Sequence, residues 1–406
     1  MSLSETLRPI TKIQRRLDRN RLGKERRAQT LSHSMGLRAL EEPAAVVADI
    51  VASDEDLAIT ERLLLAYGRA MADRPRVNAQ VVDVWTKIAG VQGGFLGLLQ
   101  RAEVKEVAAY LCNMSRMDAT IGTVQGDDEH AQILAHKRNR DFRAALTKDK
   151  LVSFAEAVGV SRCETPEQGG WGDTIHVPAD ELIAALEARI GVSLTPPAID
   201  GGLFKLVTRH GLFHERDLYA QFTAWSLREL IGPGGQVIEI GGGVGRCAYW
   251  GHRLGLGRYT VVDLPHIGVL QGFYLLKSLG AEQVGLHGEA GGDAPLQLVP
   301  DFAISSIGSS SCDVVLNQDS LPEINLEAAQ RYMDWIKQVS RAWFYSVNQE
   351  AKAPYSEQGR QLSVAELTGA SGGYRRISRT PYWLRRGYVT EIYDVRGATD
   401  GATGAA

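Results

Sequence analysis

The run Val237-Ile238-Glu239-Ile240-Gly241-Gly242-Gly243-Val244-Gly245-Arg246 constrains this chain more than any other stretch of it. An apolar strand passes without a break into glycines, and a helical segment, Cys247 to Leu254, follows. Glycines let a backbone turn sharply and pass close beneath a ligand, and the start of a helix behind them offers free N–H groups. A nucleotide-like ligand is therefore expected at the turn. Two acids narrow its identity. Glu239 stands inside the strand, two residues before the first glycine, where it can neutralise an amino group or organise water around one. Asp263 ends the next strand, Thr260-Val261-Val262-Asp263, 24 residues after Glu239, where a carboxylate can accept bonds from both ribose hydroxyls. Gly243-Val244-Gly245-Arg246-Cys247-Ala248 also satisfies the looser GxGxxA dinucleotide pattern, so an NAD-dependent oxidoreductase is the competing reading. A dinucleotide site uses the second acid but rarely needs the first, and the pair favours S-adenosylmethionine as the cofactor.

Short β-branched runs alternate with helical stretches on both sides of this turn: Gln236 to Ile240, Tyr259 to Val262, Gln283 to His287, Asp313 to Leu316, Ala342 to Val347 and Tyr388 to Tyr393. Such alternation predicts an α/β fold with a Rossmann-like, doubly wound, mostly parallel sheet. The last run follows Tyr382-Trp383-Leu384 so closely that the sheet is expected to finish in an antiparallel hairpin. Before residue 200 the pattern is helical. Leu57, Thr60, Leu64 and Tyr67 share a face, as do Val81, Val84, Trp85 and Ile88, then Val104 and Val107 to Leu111. Ser53 with Asp56 makes a capping box, helical pattern continues from His130 to Val158, and Pro178 with Asp180 opens the segment Glu181 to Ile190. No strand-like alternation precedes residue 200. A Gly-rich acidic connector (Glu164 to Asp173) and a second one with Pro196 and Pro197 (Thr195 to Gly202) interrupt the helices. We expect a largely α-helical N-terminal domain over 1–200, acting as a cap or a homodimer interface, a cofactor-binding domain over 201–396, and a disordered small-residue tail over 397–406.

At 406 residues, with 44% hydrophobic and 23% charged positions, the chain can build more than one core. No stretch approaches the roughly 20 apolar residues of a membrane span, and the N-terminus has no apolar signal-peptide core, so a cytoplasmic protein is expected. Cys112, Cys163, Cys247 and Cys312 are scattered without a CxxC pair and read as reduced thiols. Arg15 to Arg27 holds seven basic residues against two acids, but no aromatic residues interleave with them, so a solvated face is expected and no nucleic-acid partner.

With these residues in view, the C-terminal half resembles the sugar O-methyltransferase family of Rossmann-like methyltransferases. The matching pieces are VIEIGGGVGR (237–246), YTVVDLP (259–265) with Gln271, Phe273 and Tyr274 behind it, DVVLNQDSLPEI (313–324) and WFYSVNQE (343–350), within a resemblance that covers residues 205–395. The preceding helix, Leu218 to Ile231, looks like the arm that family lays over its cofactor. The resemblance implies S-adenosylmethionine-dependent transfer of a methyl group to a hydroxyl of a sugar, a glycosylated metabolite or an oligosaccharide. It also implies that Glu239, Gly241, Gly242, Gly243, Gly245, Asp263 and Leu264 line the cofactor, with Asn317 toward its methionine portion. Asp263-Leu264-Pro265-His266 is similar to plant-type small-molecule O-methyltransferases as well, which leaves a non-sugar small molecule as an alternative acceptor. Those enzymes place a catalytic histidine where this chain has Pro322.

Methyl transfer to oxygen needs the acceptor held in line with the sulfonium methyl and a group to take its proton. By position, Glu323 and Asp319 after the fourth strand and His287 at the end of the third are the candidate bases. Glu289, after Gly288, is the candidate partner of the adenine amino group. Tyr219 and Gln221 are expected to contact the cofactor, and His210, Asn348 and Glu350 the acceptor, with Arg209, His214 and Glu215 forming a polar cluster before the covering helix. His210 and His214 have the i, i+4 spacing of metal ligands, but Gly211 lies between them and no third ligand is apparent, so no metal is expected. His130 and His136 read as surface residues, and Tyr110, Trp171 and Trp85 as sugar-stacking or core aromatics.

Overall fold

The computed structural model describes residues 42–75, 84–165, 167, 173–289, 293–352, 354–356 and 359–398. The basic run Arg15 to Arg27, Val81, Trp171, the side chain of Val84, most of the first connector and the end of the tail lie outside them. Gly397 falls in a 3-10 turn, Arg396–Ala398.

The N-terminal half is a stack of helices: α1 (Asp54–Asp73), α2 (Val84–Val91), α3 (Gly93–Arg101), α4 (Val104–Cys112), α5 (Asp127–Ala135), α6 (Lys137–Ala157), a short α7 (Asp173–His176) and α8 (Ala179–Ile190). The Ser53 hydroxyl and the Asp56 carboxylate cap the start of α1 reciprocally. Its buried face is Ile59, Leu63, Ala66 and Ala70 with Thr60, while Leu64 and Tyr67 are only half buried. The face is turned because α1 lies so close on the helix α11 (Pro265–Leu279) that a Cβ on Gly272 would meet Leu63 Cδ2 at 2.3 Å. One strand does precede residue 200: β1 (Ala44–Val46) pairs antiparallel with β2 (Phe204–Thr208), which pairs with β3 (Gly211–Phe213). Three residues are too few to show alternation, and the partner strand is far away in the chain.

The helix α9 (Glu215–Ile231) leads into the main sheet. There, β4 (Val237–Ile240), α10 (Arg246–Arg253), β5 (Tyr259–Asp263), α11, β6 (Val284–Gly285), β7 (Leu296–Pro300), β8 (Cys312–Gln318), α12 (Leu326–Val339) and β9 (Ser340–Gln349) follow in turn. A small hairpin of β10 (Pro354–Ser356) and β11 (Gly359–Arg360), α13 (Val364–Ser371), β12 (Arg375–Pro381) and β13 (Tyr388–Asp394) complete it. The eight-stranded sheet has the order β12-β13-β9-β8-β4-β5-β7-β6, parallel except that β13 runs antiparallel between β9 and β12. This is the doubly wound, Rossmann-like sheet with an antiparallel last strand, and helices cover both faces. The sequence reading of Gln283 to His287 as the third strand needs correction. Only Val284–Gly285 pairs, at the sheet edge, and β7 takes the inner place beside β5.

One core runs from Ile59 and Leu63 through Phe95, Phe154 and Leu186 to Trp250, Tyr274, Leu316 and Tyr388, so the helical half and the sheet pack as one body. The second connector is part of that body. Asp200, fully buried, receives the Lys205 ammonium at 2.7 Å and the Arg246 guanidinium at 2.9 Å, and Arg246 also binds Asp217. Burial alone would raise the Asp200 carboxyl, but Arg246 and Lys205 hold it well below the usual range. Removing one member strands buried charge, so Asp200→Ala is expected to cost about 3–5 kcal/mol, read as a lowered urea midpoint at unchanged slope. A midpoint within error of the parent would show that the cluster is not holding the halves together.

Candidate functional site

At the carboxyl end of β4 the chain turns through Gly241, Gly242 and Gly243 before Gly245 caps α10. Gly241 has φ +75°, and a Cβ there would lie 2.4 Å from the Cβ of Ser320. Gly243 has φ +57° and nothing within 4 Å of its missing Cβ, so its backbone faces open space that a ligand can approach closely. These glycines line a cleft of about 850 Å³ together with Glu239, Asp263, Leu264, Asp319, Glu323 and Tyr219.

Glu239 accepts a bond from the Tyr259 hydroxyl at 3.0 Å, and burial pushes its carboxyl up to about 7. Asp263 accepts from the Leu264 N–H at 2.8 Å and from Gln271 Nε2 at 2.7 Å, which fix its orientation; burial raises its carboxyl to about 7 as well. The sign of the linkage follows. A carboxyl raised from about 4.5 when unfolded to about 7 when folded binds its proton more tightly in the native state, so stability falls as pH rises between those values. Glu239→Gln is therefore expected to match the parent's melting temperature near pH 5 and to exceed it by about a few degrees at pH 8. A difference that does not grow with pH would remove Glu239 as a protonated buried acid.

Asp319 sits beyond β8 with φ +66°, its N–H donating to Asn348 Oδ1 at 3.0 Å. Its carboxylate is clamped by Arg385 and the Tyr388 hydroxyl, with Arg216 at 3.8 Å. Both of its oxygens are already engaged, one by Arg385 and the other by Tyr388, an arrangement that suits an anchor better than a base. Glu323 differs. Its carboxylate lines the cleft with no hydrogen bond or ion pair among the described residues, and burial, then the Asp319 charge, push it up to about 7.

Several expected site residues lie elsewhere. Asn317 is fully buried beneath the turn, donating to the Ile240 carbonyl and Ser320 and accepting from Leu321 and Asn348; it shapes the turn without reaching the cleft. Asn348 is likewise occupied by Asn317 and Asp319, and Gly245 packs against Leu275. Gln221 donates to the Leu194 carbonyl in the core. His210 binds Glu187, and Arg209 binds Asp180. Buried His214 caps α9, and Glu215 pairs with Arg143. Glu350 binds Arg379, His287 binds Asp73, and Glu289 is held by Arg62 against α1. None of these lines the cleft, because each is already occupied by a partner in the surrounding fold. His130 is half buried and bonded to the Gly202 carbonyl, while Tyr110 stacks on Phe95 in the core.

Three residues the sequence reading passed over do line the cleft: Arg216, His266 and Asp301. Asp301 follows Pro300, the register partner of Asp263, and its Oδ1 is buried without a hydrogen-bond partner among the described residues. The signal was Leu296-Gln297-Leu298-Val299, a short alternating strand that ends in this acid. His266 Nε2 and Arg216 Nε are orphaned in the same way, and burial lowers His266 to about 4, so its ring is neutral.

No family model matches the chain, and no curated protein matches it. Among solved structures it is similar to the Burkholderia thailandensis 1,6-didemethyltoxoflavin-N1-methyltransferase, with 19% identity over 44% of this chain and 81% of that one and a TM-score of 0.32. It is also similar to the magnesium protoporphyrin IX methyltransferase of Synechocystis PCC 6803, at 16% identity over 44% and 80% and a TM-score of 0.31. A glycopeptide N-methyltransferase matches at 19% identity over 42% and 94%, with a TM-score of 0.31. Among the described residues no helix is long and apolar enough to cross a membrane.

Proposed function

We propose that this chain is an S-adenosylmethionine-dependent O-methyltransferase whose acceptor is a hydroxyl of a sugar or glycosylated metabolite. The observation that carries the reading is buried Glu239 within β4 and half-buried Asp263 at the end of adjacent β5, beside an open glycine turn and in one cleft with Glu323, which is unpaired among the described residues. The fit to the cofactor rests on the chain's own loose ends. Gly243 leaves room for close approach, and Asp301 presents an orphaned acceptor suited to an adenine amino group. Asp263 would take the ribose hydroxyls and Glu239 the amino end. The antiparallel strand between β9 and β12 departs from the all-parallel order of dinucleotide-binding sheets, which disfavours the oxidoreductase reading. The sugar is supported by the resemblance over 313–324 and 343–350.

When bound, the sulfonium cofactor supplies an electrophilic methyl group. The protein's part is to hold the acceptor oxygen in line with that carbon and to keep bulk water out. Glu323, deprotonated, accepts the acceptor's hydroxyl proton as the oxygen–carbon bond forms. Arg216 and Arg385 hold Asp319 nearby, and burial, with the Asp319 charge second, keeps the Glu323 carboxyl at about 7, where it takes a proton readily at neutral pH. Calorimetry with S-adenosylhomocysteine and with NAD tests the cofactor: micromolar binding of the first and none of the second is expected, and the reverse would overturn it. A mass gain of one methyl group across a panel of saccharides and glycosides tests the acceptor.

A further inference from the structure

We infer that the acceptor is amphipathic, its hydroxyl-bearing end held at Arg216 and Glu323 and an alkyl or aryl body lodged against the helical roof; the inference rests on the methyltransferase reading. Small-molecule pockets span roughly 300–1,000 Å³. A cleft of about 850 Å³ stands high in that range and accommodates a nucleoside cofactor with a second molecule beside it. The cofactor residues account for one wall only. Met71 of α1, Trp85 of α2, Leu96 of α3 and Val124 come from the N-terminal half, and Ile324 and Tyr332 from around α12.

Met71, Leu96, Val124 and Ile324 offer nothing to a hydroxyl, and Trp85 and Tyr332 present mostly ring surface with one polar atom each. Met71 is 42% exposed although large and apolar, and Trp85 and Leu96 are half buried, so the roof leaves hydrophobic surface open toward the cleft. A bare sugar would find partners on that side only at Arg74, Gln100 and Thr123, and over the apolar side chains its hydroxyls would lose water without replacement, an unfavourable exchange. An aglycone would bury the same surface with gain. The polar requirements are met at the other end, where, among the described residues, Arg216 Nε is a buried donor lacking an acceptor and Glu323 an acceptor lacking a donor. A glycoside with a hydrophobic aglycone satisfies both ends at once.

The test is calorimetric titration of the full chain with methyl, butyl and octyl β-D-glucoside below micelle-forming concentrations, with and without saturating S-adenosylhomocysteine. Affinity should rise about threefold to fourfold per added methylene, making the octyl compound about a hundredfold tighter than the butyl. Met71→Asp and Leu96→Asp should each flatten that gradient while S-adenosylhomocysteine affinity stays within about twofold; Met71 is exposed enough to take a charge without threatening the fold. Failure of the octyl compound to bind, equal affinity along the series, or a gradient that persists in both variants would overturn the inference. Loss of S-adenosylhomocysteine binding alone would strike the cofactor reading instead, since the gradient is also read on the unliganded chain.

Discussion

On the proposed methyltransferase reading, Glu323→Gln is expected to lower turnover by about 10²- to 10⁴-fold, the span general-base catalysis contributes, while S-adenosylhomocysteine binds as tightly as before. The substitution keeps the shape of the side chain and removes only its capacity to take a proton. Burial and the neighbouring Asp319 charge set the Glu323 carboxyl at about 7. In the wild type, kcat/KM should therefore fall about tenfold per pH unit below that value, as the base is progressively occupied, and level off above it. The variant should lose this acid limb. If it kept a third or more of the turnover, or the same limb, the proton would have to leave by another route. Asp319→Asn serves as the contrast, because Asp319 is already engaged by Arg385 and Tyr388 and loss of its charge should move the pH limb to lower pH without abolishing it.

Asp263→Ala is expected to weaken S-adenosylhomocysteine binding at least about a hundredfold, because hydrogen bonds to a charged group contribute about 1.5–3 kcal/mol each and a ribose offers two hydroxyls. The carboxylate is prepared for them, held in place by Leu264 N–H and Gln271 before any ligand arrives. Its carboxyl is raised to about 7, so binding should also weaken as pH falls below neutrality and the acid becomes protonated. Unchanged affinity in the alanine variant, measured by calorimetry at pH 8, would detach Asp263 from the ribose.

Much of the sheet was legible before any coordinates. Central parallel strands are covered on both faces and so read as largely apolar runs, which is how β4, β5, β8 and β9 announce themselves, while antiparallel β13 shows by its β-branched and aromatic residues. β7 hid because Gln297 and Pro300 dilute a five-residue strand, and β12 because its outward-facing residues, Arg375, Arg376 and Arg379, are those of a sheet edge. The site divides in the same way. Glu239 and Asp263 lie next to a local turn signal that fixes their geometry, whereas Arg216 and Asp301 reach the cleft from elements distant in the chain, and His266, three residues past Asp263, carries no spacing signal of its own. Conversely, His210, Glu289 and Glu350 stand at plausible intervals in the chain, yet each is claimed by a neighbouring ion-pair partner, which no spacing reveals.

The close seat of α1 on α11 joins two jobs in one helix. Arg62 bridges to Glu289 and to the Val284 carbonyl, Lys277 bridges to Asp56, and the far side of the same helix carries Tyr67 and Met71 into the cleft. On the proposed reading, acceptor preference is consequently not a modular trait in this architecture. Transplanting the helical half from a relative would disturb the scaffold along with the selectivity, and new specificities are better sought by point changes at the inner ends of α1, α2 and α3.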